Sequence, residues 1–493
     1  MNYKEALEYI HGINRYAKKL GLDNIRRLMR ELGDPQDRLR FVHIAGTNGK
    51  GSVAAFTASI MREAGYRTGL YTSPYLQRFT ERIRVDGREI GEGDVARLAD
   101  VVRGAIGRIV AGGGQHPTEL EVVAAIAFLY FEEEGCDIVA FEVGLGGRFD
   151  PTNVINTPLA AVITTIDYDH MKKLGNTLEK IAFEKAGIIK AGGDAILYPQ
   201  PDRVRRVFKE AARTAGARLT VCDFSTLRQE AYGAQGQKFS YGRREGLEIS
   251  MLGDFQMRNA ALAAEAADAI NRNKGCGINV PEDALRRGLK KTRWPGRLEI
   301  LGDNPAVLID AAHNAQCAEA LREALVKYFP GREYIFVFAV LWDKDYDSII
   351  DSMAPLASAV FTVTADSPRA IGADELAKIV RDRGGARLAG RVWACGSAAE
   401  ALSRAVALAG GGGVGAGADA GVGAVAEAGV GVGAVAGVGA GAGAVAGADV
   451  DAEAGTGAGA VPGLGAGAVI CAFGSMYFIG SIREIYAPTP DIL

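Results

Sequence analysis

The run His43-Ile-Ala-Gly46-Thr47-Asn48-Gly49-Lys50-Gly51-Ser52 follows an apolar strand pattern and leads into VAAFTASIMREAG, a good helix former. Strand, glycine loop and helix start in that order make a phosphate site. The glycines let the backbone approach an anion, the amides and helix dipole hold its oxygens, and Lys50 adds a point charge. The spacing is shorter than the usual GxxxxGK[ST] loop, yet a lysine after the second glycine has no packing reason to be there. Further on, Glu142 ends the run DIVAFEV and Asp169-His170 follows AAVITTI. Ligands of open α/β sheets bind at the carboxyl ends of strands, where a carboxylate such as Glu142 is placed for Mg²⁺. The GLGGR after Glu142 lacks the third glycine of a dinucleotide fingerprint and leads into FDPTN rather than a helix. Gly253 to Asn259 precedes an Ala-rich helix and Asp310-Ala-Ala-His313-Asn314 ends a strand; each can be read as a helix cap. With Arg297 they bring amide, carboxylate, imidazole and guanidinium groups near strand ends, as an adenosine and a triphosphate require. Lys185 and Lys190 flank the apolar turn of FEKAGIIK, where composition alone favours a solvated helix end.

Such groups must be held by a sheet. Short β-rich runs alternate with helical patterns: FVHIAG (41–46), DIVAFEV (137–143), AAVITTI (160–166), DAILY (194–198), AVLIDA (306–311), YIFVFAV (334–340), VFTVT (360–364) and VICAF (469–473). Continuous apolar strands separated by helices imply parallel sheets covered on both faces, an α/β architecture. The periodicity breaks at Arg293-Trp294-Pro295-Gly296-Arg297, which places a domain boundary there: residues 1–296, then 297–493. From about 409 to 468 the second part is interrupted by Gly, Ala and Val with only Asp419, Glu427, Asp449, Asp451 and Glu453 charged. Alternating glycine and the lack of aromatic or basic anchors argue against a membrane span, so a flexible low-complexity insertion is expected.

The 56 Lys+Arg nearly balance the 59 Asp+Glu, so neither a nucleic-acid field nor acidic disorder is indicated. The six cysteines form no CxxC or zinc spacing and read as buried thiols of a reducing compartment. The charged, amphipathic start lacks the apolar core of a signal peptide, so a cytoplasmic protein is expected.

The order HIAGTNGKGS, TSPYLQRFTERI, EVGLGGRFDPTN, ITTIDYDH, LGNT, EKAGIIK, GDFQMRNA, WPGR, DAAHN, DKD and GSMYFIGSIR resembles the folylpolyglutamate synthase family, often bifunctional with dihydrofolate synthase, within the Mur-type ATP-dependent amide ligases. The resemblance implies a P-loop domain followed by a smaller Rossmann-like α/β domain, with ATP between them. It implies that Gly46, Thr47, Asn48, Gly49, Lys50, Gly51 and Ser52 grip ATP phosphates, joined by Asn259, Arg297, Asp310 and His313. It further implies that Ser73, Glu142 and His170 hold Mg²⁺, expected as two ions, and that Lys185 is carbamylated. Lys50, Glu142, His170 and Lys185 are the expected catalytic groups, and a monovalent cation is left open. A folate or pteroate acceptor is expected against Leu20, Gly21, Leu22, Thr118, Leu120, Glu121, Asp150 and Pro151.

The implied reaction adds L-glutamate to the γ-carboxylate of a reduced folate. Attack of that carboxylate on the ATP γ-phosphate gives an acyl phosphate, which the amine of glutamate opens; no cysteine nucleophile is needed. Relatives that also accept dihydropteroate have Asp-Leu-Gly-Leu and Thr-x-Phe-Glu where this chain has Lys19-Leu-Gly-Leu22 and Thr118-Glu-Leu-Glu121. The reversed charge and the lost stacking ring weigh against that second reaction. The expected partners are these small molecules, with no nucleic acid or membrane, and a monomer. Two other readings stay open at this point: an NTP-driven switch, and a Mur-type ligase for another acid.

Overall fold

The computed structural model describes residues 1–13, 21–156, 158–410 and 467–486. The expected Gly/Ala insertion lies outside the described residues except at its two ends. Among the described residues, β1 (Phe41–Ala45), β2 (Thr68–Tyr71), β3 (Ile83–Val85), β4 (Arg88–Glu89), β5 (Ile138–Glu142), β6 (Ala160–Ile163), β7 (Asp194–Leu197) and β8 (Arg218–Val221) form a sheet in the order β4-β3-β2-β5-β1-β6-β7-β8. From β2 to β8 every pairing is parallel, while β3 and β4 add an antiparallel edge. The apolar runs explain the central position of β1, β5 and β6: all their residues are buried, as strands covered on both faces must be. One face packs against helices Tyr3–His11, Asp23–Glu31, Glu92–Ala111 and Glu119–Glu133. Near β6 and β7 the same face carries helices Leu178–Ala186 and Asp202–Ala215, because Ala45, Val143, Ala161 and Ile163 point to the side of Phe41 and Phe141. The other face receives helices Lys50–Glu63, Asp254–Arg272 and Glu282–Lys291.

A small antiparallel sheet, β9 (Arg228–Gly233), β10 (Gly236–Tyr241) and β11 (Arg244–Ile249), was not expected. Its strands alternate buried and exposed residues around glycine turns and lack the continuous apolar runs that mark the large sheets.

The third sheet comprises β12 (Glu299–Asp303), β13 (Ala306–Ile309), β14 (Tyr334–Phe338), β15 (Ala357–Thr362), β16 (Val392–Ala394) and β17 (Val469–Phe473) in the order β12-β13-β17-β14-β15-β16. Only the β12–β13 pairing is antiparallel. β17 follows the Gly/Ala tract yet sits between β13 and β14, so the chain returns to the centre of this sheet after it. The α/β expectation holds. The expectation that all six cysteines are buried needs correction: Cys136, Cys222, Cys395 and Cys471 are buried, whereas Cys276 and Cys317 are half-buried, and all six are free thiols.

Candidate active site

The carboxyl ends of β1, β2, β5 and β6 face those of β13 and β17 across a cavity of about 620 Å³. After β1 the chain turns through Gly46 to Gly49 into helix Lys50–Glu63. Gly49 has φ +86°, and a Cβ there would lie 2.7 Å from Asn259 Oδ1, so only glycine fits the turn. No side chain caps this helix, leaving its first amides for a ligand. The loop is held from β6: Thr47 N donates to Thr165 O (2.7 Å), Asp167 N donates to Thr47 Oγ1 (3.0 Å), and Thr164 Oγ1 donates to Asn48 O (2.6 Å). Lys50 Nζ donates to Thr47 O (3.1 Å) and lies 3.9 Å from Glu142 Oε1.

Glu142 ends β5 and is 4% exposed. Burial raises its pKa against the lowering effects of Lys50, the Ser73 amide and Arg297. Ser73 N donates to Glu142 Oε2 at 3.2 Å. His170 follows β6 in a left-handed conformation, φ +51°. Desolvation pulls its pKa down to about 4 against the pull of Asp169, so the imidazole is neutral near pH 7, the form a metal requires. The reading of Lys185 as a solvated helix end is wrong: the residue is 5% exposed, and its Nζ donates to Gly46 O at 2.6 Å. Helix and loop meet closely here, since a Cβ at Gly147 would be 2.8 Å from Glu184 O. Desolvation, reinforced by Lys50, brings the Lys185 amine down to about 7.

The third sheet contributes Asp310 and His313 after β13, with Arg297 just before β12. Asp310 accepts from Leu298 N and Ala312 N, each 2.8 Å, and burial raises its pKa. Asn259 lies inside helix Asp254–Arg272, not before it, because Gly253 at φ +94° starts the helix earlier than expected. Asn314 does cap helix Ala315–Tyr328, as the sequence allowed.

Asn48, expected at the ATP phosphates, and several groups that the sequence reading left without roles join the two sides. Asn48 and Asn314 exchange side-chain hydrogen bonds at 3.3 and 2.9 Å, and Asn48 Nδ2 also donates to Gln316 Oε1 at 2.6 Å. Lys344, within the motif DKD, lies 2.8 Å from Asp169. Burial alone would raise the Asp169 carboxyl, but His313, Lys344 and His170 override it and hold it well below the usual range. Both clusters sit in quoted motifs; what the sequence lacked was the pairing between residues far apart in the chain.

Gly46 to Ser52, Ser73, Glu142, His170, Lys185, Asn259, Arg297, Asp310, His313 and Leu120 all line the cavity. Gly21, Leu22, Thr118, Glu121, Asp150 and Pro151 do not, and Leu20 lies outside the described residues. Leu22 is packed in the core, and Pro151 opens a short 3-10 turn. Thr118 and Glu121 form a capping box at helix Glu119–Glu133, with the Glu121 carboxylate accepting from Thr118 N (2.7 Å) and Oγ1 (2.9 Å). Asp150 is committed to its own loop, accepting from Leu145 N and Thr152 N at 2.8 and 3.0 Å. Their polar groups thus serve backbone satisfaction in this structure.

Residues 44–267 match the Mur ligase middle domain and residues 296–415 the Mur ligase glutamate ligase domain. The chain is 40% identical over 380 residues to the dihydrofolate synthase/folylpolyglutamate synthase of Bacillus subtilis, covering 76% of this chain and 88% of that protein. It is 37% identical over 379 residues to the folylpolyglutamate synthase of Lacticaseibacillus casei, covering 75% and 87%. Among solved structures, Mycobacterium tuberculosis folylpolyglutamate synthase complexed with ADP and AMPPCP superposes with a TM-score of 0.79 at 30% identity, over 99% of this chain and 100% of that one. A folylpolyglutamate synthase–AMPPCP–folate complex superposes with a TM-score of 0.70 at 32% identity, over 83% and 99%. With its phosphate loop, buried carboxylate and opposing Asp-His pair set around one cavity, the chain belongs to the folylpolyglutamate synthase/dihydrofolate synthase family of Mur-type ATP-dependent ligases.

Proposed function

We propose that this protein adds L-glutamate to the γ-carboxylate of a reduced folate, with ATP consumed to make an acyl phosphate. The observation that carries the reading is the cavity itself. An uncapped helix start with Lys50 and a buried Glu142 on one side face Arg297, Asp310 and His313 on the other. Relatives named for this activity, and a related structure holding AMPPCP and folate, support it. The proposed division of the chain near Gly296 assigns the loop to one domain and the Asp-His pair to the other.

Lys50 and the loop amides would orient the triphosphate so that its γ-phosphorus faces the acceptor carboxylate. That carboxylate attacks, the bond to ADP breaks, and the acyl phosphate forms. The amine of glutamate then attacks the acyl carbon, losing a proton, and inorganic phosphate leaves. Positioning and charge neutralisation by Lys50 and Arg297 lower both barriers without a covalent enzyme intermediate. Mg²⁺ would be held by Glu142 with Ser73 and His170. One carboxylate with a hydroxyl and an imidazole on the same cavity wall fits an ion that takes one or two carboxylates and completes its shell with phosphate and water. Bound there, it would neutralise phosphate charge. Lys185 is proposed to react with CO₂ as its neutral amine, releasing a proton and leaving a carbamate beside the loop.

Dihydropteroate is the proposed alternative acceptor to be tested against folate. The protein is proposed to act as a cytoplasmic monomer without nucleic-acid or membrane partners; among the described residues no helix is long and apolar enough to cross a membrane. The deciding experiment incubates the protein with Mg-ATP and glutamate, offers tetrahydrofolate or dihydropteroate, and reads products by mass. A gain of one glutamyl unit on tetrahydrofolate is expected. No gain on either acceptor refutes the reading.

A further inference from the structure

Among the described residues four arginines are buried: Arg82, Arg84, Arg244 and Arg483. Three have carboxylate partners. Arg84 lies 3.5 Å from Glu89, Arg244 lies 2.8 Å from Asp268 and 2.9 Å from Glu282, and Arg483 lies 3.0 Å from Glu299. Arg82, 6% exposed, makes no ion pair and no side-chain hydrogen bond among the described residues, and its Nε is buried without a partner. Its guanidinium packs over the rings of Tyr75 and Phe79, 5.0 and 5.8 Å from their centroids. Ring contact recovers only part of what a desolvated cation loses, and the buried Nε still lacks an acceptor.

Arg82 lines the active-site cavity. Its charge is felt at Glu142 and at Tyr75, and Tyr75 also feels Tyr477 of the third-sheet side and Glu119 at the start of helix Glu119–Glu133. Arg82 thus shares the cavity wall with Glu142 and Leu120, whereas Lys50 and Lys185 donate to the phosphate loop at Thr47 O and Gly46 O. Its position is fixed by backbone: Thr72 N donates to Arg82 O at 3.0 Å, tying it to the segment that carries Ser73. A planar guanidinium fork held in this way fits a carboxylate.

We propose that Arg82 binds a carboxylate of the acceptor substrate, holding the glutamyl end of the folate at the reacting centre. The proposal rests on the ligase reading above and adds a specificity-determining residue to it. It accounts for a buried cation that has no carboxylate partner among the described residues.

The test compares wild type, Arg82→Gln and Arg82→Lys by steady-state kinetics with tetrahydrofolate, glutamate and Mg-ATP varied in turn. Arg82→Gln is expected to raise the KM for tetrahydrofolate roughly ten- to a hundred-fold while the KM for ATP and for glutamate moves less than about two-fold. Arg82→Lys, which keeps the charge but loses the fork, is expected to recover part of the loss. If Arg82→Gln does not fold, Arg82→Lys decides alone, with a several-fold rise confined to the folate KM. An unchanged folate KM, or a loss that falls on glutamate or ATP instead, overturns the assignment. Wild-type turnover of tetrahydrofolate, measured in the same series, keeps failure of this assignment distinct from failure of the ligase reading.

Discussion

Lys185→Met should remove a pH dependence of stability that the buried amine gives the wild type. The amine of Lys185 falls from its ordinary value of 10.5 to about 7, desolvation being the largest cause. Because the folded pKa lies below the unfolded one, the unfolded chain holds more protons between these values. Stability of the unmodified wild type therefore rises with pH across that window. Relative to an amine that ionises freely, this burial costs roughly 4 kcal/mol at pH 7 and about 2 kcal/mol at pH 9. Methionine has a similar shape and no charge to desolvate, but it leaves Gly46 O without the 2.6 Å hydrogen bond, an offset of about 1–3 kcal/mol that does not depend on pH. The stability of Lys185→Met minus that of wild type should therefore fall by about 2 kcal/mol between pH 7 and pH 9, whatever the absolute offset. Urea unfolding in CO₂-depleted buffer measures it. A difference that stays flat with pH would refute the account of Lys185 as a desolvated amine. In a parallel arm, ¹³C-labelled bicarbonate should give a carbamate resonance with wild type and none with Lys185→Met; a silent wild type would remove the carbamylation proposal.

Glu142→Gln should lower kcat by about 10²–10³, the scale of losing one charged group at a reacting centre. Since burial raises the pKa of Glu142, the same variant should unfold at higher denaturant near neutral pH than wild type, with the gain shrinking as pH falls and the carboxyl protonates; a less stable variant contradicts this reading. Gly49→Ala forces an L side chain to φ +86° and against Asn259, so a cost of at least about 1–2 kcal/mol and a raised KM for ATP are expected from unfolding and kinetics; wild-type values for both would show that the turn relaxes freely. Replacing residues 411–466 with a short Gly/Ser linker should preserve turnover and shift stability by only about 0.6 kcal/mol per halving of loop length. A large loss in either would mean that the tract packs or binds.

The strands that carry the site were readable because buried parallel strands announce themselves as apolar runs, and the groups that end them, from Gly46 to Ser52 and at Glu142 and Asp310, inherit the carboxyl-end position. The β9–β11 sheet was not readable: it is half exposed, and its alternation is short. The expected acceptor wall was legible only as motifs. Thr118, Glu121 and Asp150 have polar groups that could meet a ligand or satisfy a backbone, and only the folded chain shows the backbone partners they take.

By itself the sequence determined the phosphate loop, the α/β layering and the order of motifs, all of which depend on residues close along the chain. Tertiary structure decided the electrostatics. A lysine in FEKAGIIK looks solvated until helix Leu178–Ala186 packs on the loop at Gly46, and Arg82 in TSPYLQRFTERI looks like any surface cation until the rings of Tyr75 and Phe79 pack against it with no carboxylate partner among the described residues. The Asn48–Asn314 and Asp169–Lys344 pairs likewise exist only once distant segments meet. Desolvation and pairing depend on every atom around a group, and most of those atoms come from elsewhere in the chain.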